Sequence, residues 1–166
     1  QEDCTMNILA IDTCTEAASI SLSISGQKTN RVILNHEKNS GHILKLCDEV
    51  FDEANIELNE IDVIVYTKGP GAFTGVRMCV GVVQGLSLAK GIPTMGFSTL
   101  ELLGYKTAIS LNSEKIAIAV DARMGEVYWA IYEHGSLLNE RICEPSNVDK
   151  LNQDYIGVGS GWEPYK

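Results

Sequence analysis

Two acids close apolar runs in this chain: Asp12 follows Ile8-Leu9-Ala10-Ile11, and Asp121 follows Ile116-Ala117-Ile118-Ala119-Val120. An acid at the head of a strand-to-strand turn has two possible roles. It either holds the backbone N–H groups of its own turn or stands beside a nucleotide phosphate that the turn cradles. The second role needs residues without a Cβ, so that backbone N–H groups can approach phosphate oxygens. Thr13-Cys14-Thr15 supply no glycine after Asp12, and Ala122-Arg123-Met124-Gly125 supply one after Asp121. Asp12 and Thr13 are thus nucleotide candidates, with simple turn stabilisation as the competing role. Gly69-Pro70-Gly71-Ala72-Phe73-Thr74-Gly75 runs into a helical pattern. Unpaired N–H groups and the helix dipole favour an anion at such a start, which makes Gly69 and Gly71 anion candidates. A tight strand-to-helix connection would need the same glycines. The loop is neither a Walker A sequence nor G-x-G-x-x-G.

Other chemistries find little support. On one helix, His36 and His42 would point about 120° apart; His134 stands far along the chain, and no His-x-x-x-His or Cys-x-x-Cys occurs. No metal ligand set is expected. There is no G-x-S-x-G elbow, and Ser160 in Gly159-Ser160-Gly161 reads as a plain turn, so no catalytic residue is assigned. The five cysteines lie mostly in apolar stretches and suit reduced, buried thiols of a cytoplasmic protein. With a net charge of −9 and scattered Lys and Arg, the chain alone should bind nucleic acid poorly. No apolar run approaches the roughly 20 residues of a membrane span, and no signal-peptide pattern is seen.

The hydrophobic pattern supplies the elements that must position these residues. Asn7 to Asp12 reads as a buried strand. Strict alternation of Ala18, Ile20, Leu22 and Ile24 with serines gives a half-buried second strand, and Gly26 turns it into a third near Thr29–Leu34. Ile43, Leu44, Cys47, Val50, Phe51 and Ala54 recur at helical spacing, with a cap at Asn39 or Ser40. A strand over Ile61–Tyr66 leads through the glycine loop to a helix from Thr74 to Lys90, stopped by Gly91-Ile92-Pro93. Thr94–Phe97 is a short strand, and Ser98 with Glu101 forms a capping box for a helix to Ile109.

After a linker at Asn112–Glu114 the opening pattern returns as strand, acid, strand and glycine turn. Asp121 precedes Gly135 by the same interval as Asp12 precedes Gly26, which points to an internal duplication. Strands at Leu137–Cys143 and Tyr155–Val158 flank a capped turn at Ser146–Leu151. The expected organisation is a lobe over 6–111 and a partial lobe over 112–166. Two such lobes make the α/β architecture of the actin/Hsp70/sugar-kinase superfamily. The second lacks its closing helices, so the chain is expected to be a fragment.

The helix from Thr74 to Lys90 carries Gly81, Gly85 and Ala89 at four-residue steps, leaving one face almost without side chains. Each mid-helix glycine costs about 1 kcal/mol relative to alanine. Close approach of another element offsets such a cost, and the sequence leaves open whether that element is in this chain or a partner.

Ile8-Leu9-Ala10-Ile11-Asp12-Thr13, the run from Lys68 to Arg77, the run from Asp121 to Trp129 and Gly157-Val158-Gly159-Ser160-Gly161-Trp162 together resemble the TsaB (YeaZ) family. The resemblance spans Met6 to Trp162, and its two middle blocks are its specific part. It implies an actin-like pseudo-enzyme that takes part in making N6-threonylcarbamoyladenosine at position 37 of tRNAs reading codons that begin with A. Such proteins pair with TsaD, the catalytic subunit that holds nucleotide and metal, or with a second copy of themselves; the ATPase TsaE joins the pair. ATP and metal would then belong to the partner subunits, and tRNA would be met only through the complex. Family pairing uses the first two helices, which places Ile43, Leu44, Cys47, Phe51, Val76, Val80, Gly81, Gly85 and Ala89 at the interface. The competing functions are a self-sufficient actin-like ATPase or kinase and, with less support, a metal-dependent glycoprotease.

Overall fold

The computed structural model describes residues 6–34 and 40–164. His36 and the cap proposed at Asn39 lie outside the described residues. The chain divides into two compact units between Phe97 and Ser98.

The first unit holds β1 (Ile8–Asp12), β2 (Ala17–Ile24), β3 (Gln27–Leu34), α1 (Ser40–Ala54), β4 (Val63–Thr67), α2 (Phe73–Lys90) and β5 (Thr94–Phe97). The sheet order is β3-β2-β1-β4-β5. β1 runs antiparallel to β2, with Asp12 opposite Ser19, and parallel to β4, with Ile8 opposite Val63. The period-two pattern of β2 is realised as read: Ala18, Ile20 and Leu22 are buried and the serines between them face away. α2 ends at Gly91 in the left-handed region, with φ of 69°, its N–H donating to the Ser87 carbonyl.

One expectation for α1 is overturned. Ile43, Cys47 and Phe51, assigned above to a partner interface, are core residues with 0%, 1% and 8% exposure. They pack with Leu9, Ile20 and Ile64 of the sheet and Cys79 and Val83 of α2. The apolar stripe of an amphipathic helix is claimed first by its own sheet.

The second unit holds α3 (Thr99–Leu111), β6 (Lys115–Arg123), β7 (Glu126–Glu133), β8 (Ser136–Cys143) and β9 (Ile156–Val158), in the sheet order β8-β7-β6-β9. This repeats β3-β2-β1-β4 of the first unit, strand for strand. Between β8 and β9 only Pro145–Asn147 forms a helical turn, shorter than the one expected over Ser146–Leu151. The boundary also falls earlier than the expected linker at 112–114. α3 packs its buried Leu100 against Ile116, Ile118, Ala130 and Tyr132 of the second sheet. A Cβ at Gly104 would lie 2.6 Å from the Tyr132 Cβ, so α3 sits hard against β7. At its start, the Ser98 hydroxyl oxygen accepts from the Leu100 N–H at 3.1 Å, which is the N-cap half of the capping box expected with Glu101.

The other face of the second sheet is organised by Trp129, 1% exposed, among Ala117, Ala119, Val127 and Ile131. Its Nε1–H donates to Asp149 Oδ2 at 2.9 Å, and Arg141 Nη1 donates to the same oxygen at 3.1 Å. The Arg141 guanidinium first, and the indole second, hold the Asp149 carboxyl below the usual aspartate range. Asp149→Ala leaves a buried indole donor without a partner and is expected to cost about 1–3 kcal/mol of stability in urea unfolding. In the unsubstituted chain the ionised pair stabilises the fold above the ordinary aspartate pKa. That contribution is lost as pH falls through the lower folded-state value, so the mutant should be less acid-sensitive than its parent. No helix among the described residues is long and apolar enough to cross a membrane.

Candidate functional site

The turn after β1 is closed by its own chain. Asp12 Oδ1 accepts from the Cys14 N–H at 2.9 Å and from the Thr67 hydroxyl at 2.6 Å. In the second unit Asp121 Oδ1 accepts from the Arg123 N–H at 2.9 Å. Both acids therefore hold the backbone of their own turns, at equivalent places in the two units.

Thr13 is fully buried, and its hydroxyl donates to the Gly75 carbonyl at 2.6 Å. That placement removes its side chain from the nucleotide role considered above. The Gly69–Gly75 loop is pressed onto the same turn: the Ala72 N–H donates to the Cys14 carbonyl at 3.2 Å. A Cβ at Gly71 would lie 2.3 Å from the Cys14 carbonyl oxygen, and one at Gly75 would lie 2.2 Å from that of Thr13. Gly69 takes φ of 97° and is itself buried. Gly69 and Gly71 are therefore explained by backbone conformation and contact within the chain, with no anion required. Asp12 alone of the four nucleotide candidates keeps a part-exposed side chain. Among the described residues no group of three or more His, Cys, Asp or Glu is placed to hold a metal ion.

The outer face of α2 presents the opposite picture. Gly75, Cys79, Val82 and Val83 point into the unit, whereas a Cβ at Gly81 or Gly85 would meet nothing within 4 Å. Among the described residues, then, no close contact within this chain accounts for either glycine. With Leu44 of α1 and Met78 and Leu86 of α2, they line a groove of about 460 Å³. Leu44 and Ala89 are exposed, and Val76 and Val80 are half-buried. Two further surface residues escaped the sequence reading. Phe73 is 67% exposed, and the Arg77 guanidinium carbon stands 3.9 Å from its ring centroid. The i, i+4 aromatic–arginine spacing was the signal that could have found them. An aromatic and an arginine beside an apolar groove are the side chains that anchor protein interfaces.

Repeated β-sheet units in this strand order, each with an acid at the end of its first strand, define a protein of the actin/Hsp70/sugar-kinase class. A ROK family protein from Streptococcus pneumoniae shares that fold, at 15% identity and a TM-score of 0.50. The family model described as "TsaD: tRNA N6-adenosine threonylcarbamoyltransferase" matches residues 31–155. The "tRNA threonylcarbamoyladenosine biosynthesis protein TsaB" of Escherichia coli K12 is 34% identical over 171 residues, covering 96% of this chain and 74% of that protein. Its Haemophilus influenzae namesake is 31% identical, again over 96% of this chain and 74% of that protein. The crystal structure of YeaZ from Pseudomonas aeruginosa is 35% identical, with a TM-score of 0.86 over 95% of this chain and 78% of that one. The chain belongs to the TsaB (YeaZ) family.

Proposed function

We propose that this chain is a non-catalytic subunit in the synthesis of N6-threonylcarbamoyladenosine at adenosine 37 of tRNAs reading codons that begin with A. It acts in the cytoplasm by pairing with a TsaD-type catalytic subunit through the open face of α2, and the pair recruits a TsaE-type ATPase. The names of the bacterial relatives support the pathway. The observation that carries the mode of action is the open glycine face at Gly81 and Gly85, where a Cβ would meet nothing within 4 Å among the described residues. The closed turn at Asp12–Thr13 supports the division of labour: ATP and metal chemistry belong to the partners.

Reconstitution tests this reading. With tRNA, ATP, threonine, bicarbonate, a TsaC-type synthetase and the TsaD- and TsaE-type subunits, omission of this chain should abolish modified nucleoside in digests analysed by mass spectrometry. Undiminished product without it would refute the proposal. A second expected outcome concerns RNA. At net charge −9 the isolated chain should give no tRNA-selective gel shift at physiological salt, while the assembled complex should. A tight shift by the chain alone would contradict the proposed role.

A further inference from the structure

α2 carries two cations, Arg77 and Lys90, and no acid, in a chain where 13 Lys and Arg stand against 22 Asp and Glu. Its neighbour α1 carries Asp48, Glu49, Asp52 and Glu53, and Arg31 of β3 binds Glu49 and Glu53. Arg77 has no such arrangement. Among the described residues no carboxylate pairs with it, and its close contact is the Phe73 ring, 3.9 Å from the guanidinium carbon. Both side chains are exposed, so the attraction of cation to ring holds the stack, not surrounding packing. The contact restrains the guanidinium before any partner arrives, which lowers the entropy cost of binding. Its N–H donors, unengaged among the described residues, stand at the rim of the groove lined by Leu44, Met78 and Leu86.

We propose that Arg77, held over Phe73, selects the partner by taking a carboxylate of the TsaD-type subunit at the rim of this groove. The occupant is an apolar segment bordered by an Asp or Glu. The inference rests on the reading that α2 is the pairing face, and adds to it the chemistry that tells one partner from another. A carboxylate presents two oxygens in a plane and matches the guanidinium fork, so the pair has direction as well as charge. The same charge pattern works against self-pairing. If two copies met α2 on α2, parallel helices would bring Arg77 towards Arg77, and antiparallel ones would bring Arg77 towards Lys90. With no acid on the helix, either direction opposes like charges. A nucleic acid is the poorer match. Lys90 lies about 20 Å along the helix from Arg77, the chain carries a net charge of −9, and a phosphate backbone is held by several cations together.

The test is titration calorimetry of the full chain against the TsaD-type subunit at low and high salt, with Arg77→Glu, Arg77→Lys and Phe73→Leu beside the parent. Arg77→Glu should weaken pairing about a hundredfold at low salt, and less at high salt. Arg77→Lys keeps the charge but loses the fork, and should cost about tenfold. Phe73→Leu frees the guanidinium and should cost severalfold. Melting midpoints of the free variants should match the parent, since both side chains are exposed. Among partner variants with single acids reversed to lysine, one should restore binding to Arg77→Glu. If Gly85→Leu loses pairing while Arg77→Glu keeps the parent's affinity and salt dependence, the proposal falls and α2 remains the pairing face. If neither substitution matters, the pairing reading falls and takes the proposal with it. Weaker tRNA binding by the complex, or lost self-association, with affinity for the TsaD-type subunit unchanged, would also overturn the proposal. Should a variant fail to fold, the unsubstituted pair decides: an affinity that does not fall as salt rises contradicts a charge-selected partner.

Discussion

Gly85→Leu is expected to weaken pairing with the TsaD-type subunit by tenfold to a hundredfold or more, while the isolated chain stays folded. Gly85 sits within α2, and a Cβ there meets nothing within 4 Å among the described residues, so the new side chain enters an open groove without a backbone clash. Replacing a mid-helix glycine also removes a propensity penalty of about 1 kcal/mol, so the melting temperature should hold or rise. In the proposed complex, the same side chain fills the groove beside Leu86 that the partner would occupy. Overpacking of a close contact costs about 1–3 kcal/mol, and each 1.4 kcal/mol is a factor of about ten in affinity. Titration calorimetry against the TsaD-type subunit and a thermal melt of the free mutant measure the two effects separately. Unchanged affinity would remove α2 from the interface.

Gly75→Ala, on the same helix, is expected to do the reverse. Its Cβ would lie 2.2 Å from the Thr13 carbonyl oxygen, a backbone atom that cannot rotate away. The helix start must lift off the turn, and the buried Thr13 hydroxyl then loses its acceptor at the Gly75 carbonyl. Strain and a broken buried hydrogen bond together should cost about 2–4 kcal/mol, well beyond the propensity gained. Urea unfolding reads this as a lower midpoint with little change in slope. A midpoint equal to that of the parent would mean that the loop does not rest on the turn as described.

These two glycines show where sequence reasoning reaches and where it stops. Local signals were legible: the alternation of β2, the Gly91 stop of α2, the Ser98 cap and the recurrence of strand and acid at Asp121. Each depends on residues a few positions apart. The roles of Gly75 and Gly85 depend on what lies across space, and one residue type serves contact at the first and openness at the second. Thr13 and Gly75 are 62 positions apart, so their bond left no local trace and Thr13 read as a nucleotide candidate. The α1 stripe had the same defect. Helical spacing identifies an apolar face but not what covers it, and Ile43, Cys47 and Phe51 went to the chain's own core. α3 was placed in the wrong unit because a linker pattern follows it, whereas its packing on β6 and β7 is set by Leu100 and Gly104. The family resemblance in the two central motif blocks supplied the pathway that no single residue could.

Sedimentation velocity on an equimolar mixture of this chain with the TsaD-type subunit from the same cell tests the central claim most directly. A single heavier boundary at the mass of one copy of each is the predicted result, dissolved by Gly85→Leu. Two boundaries at the positions of the separate proteins, at concentrations where both are folded, would contradict it.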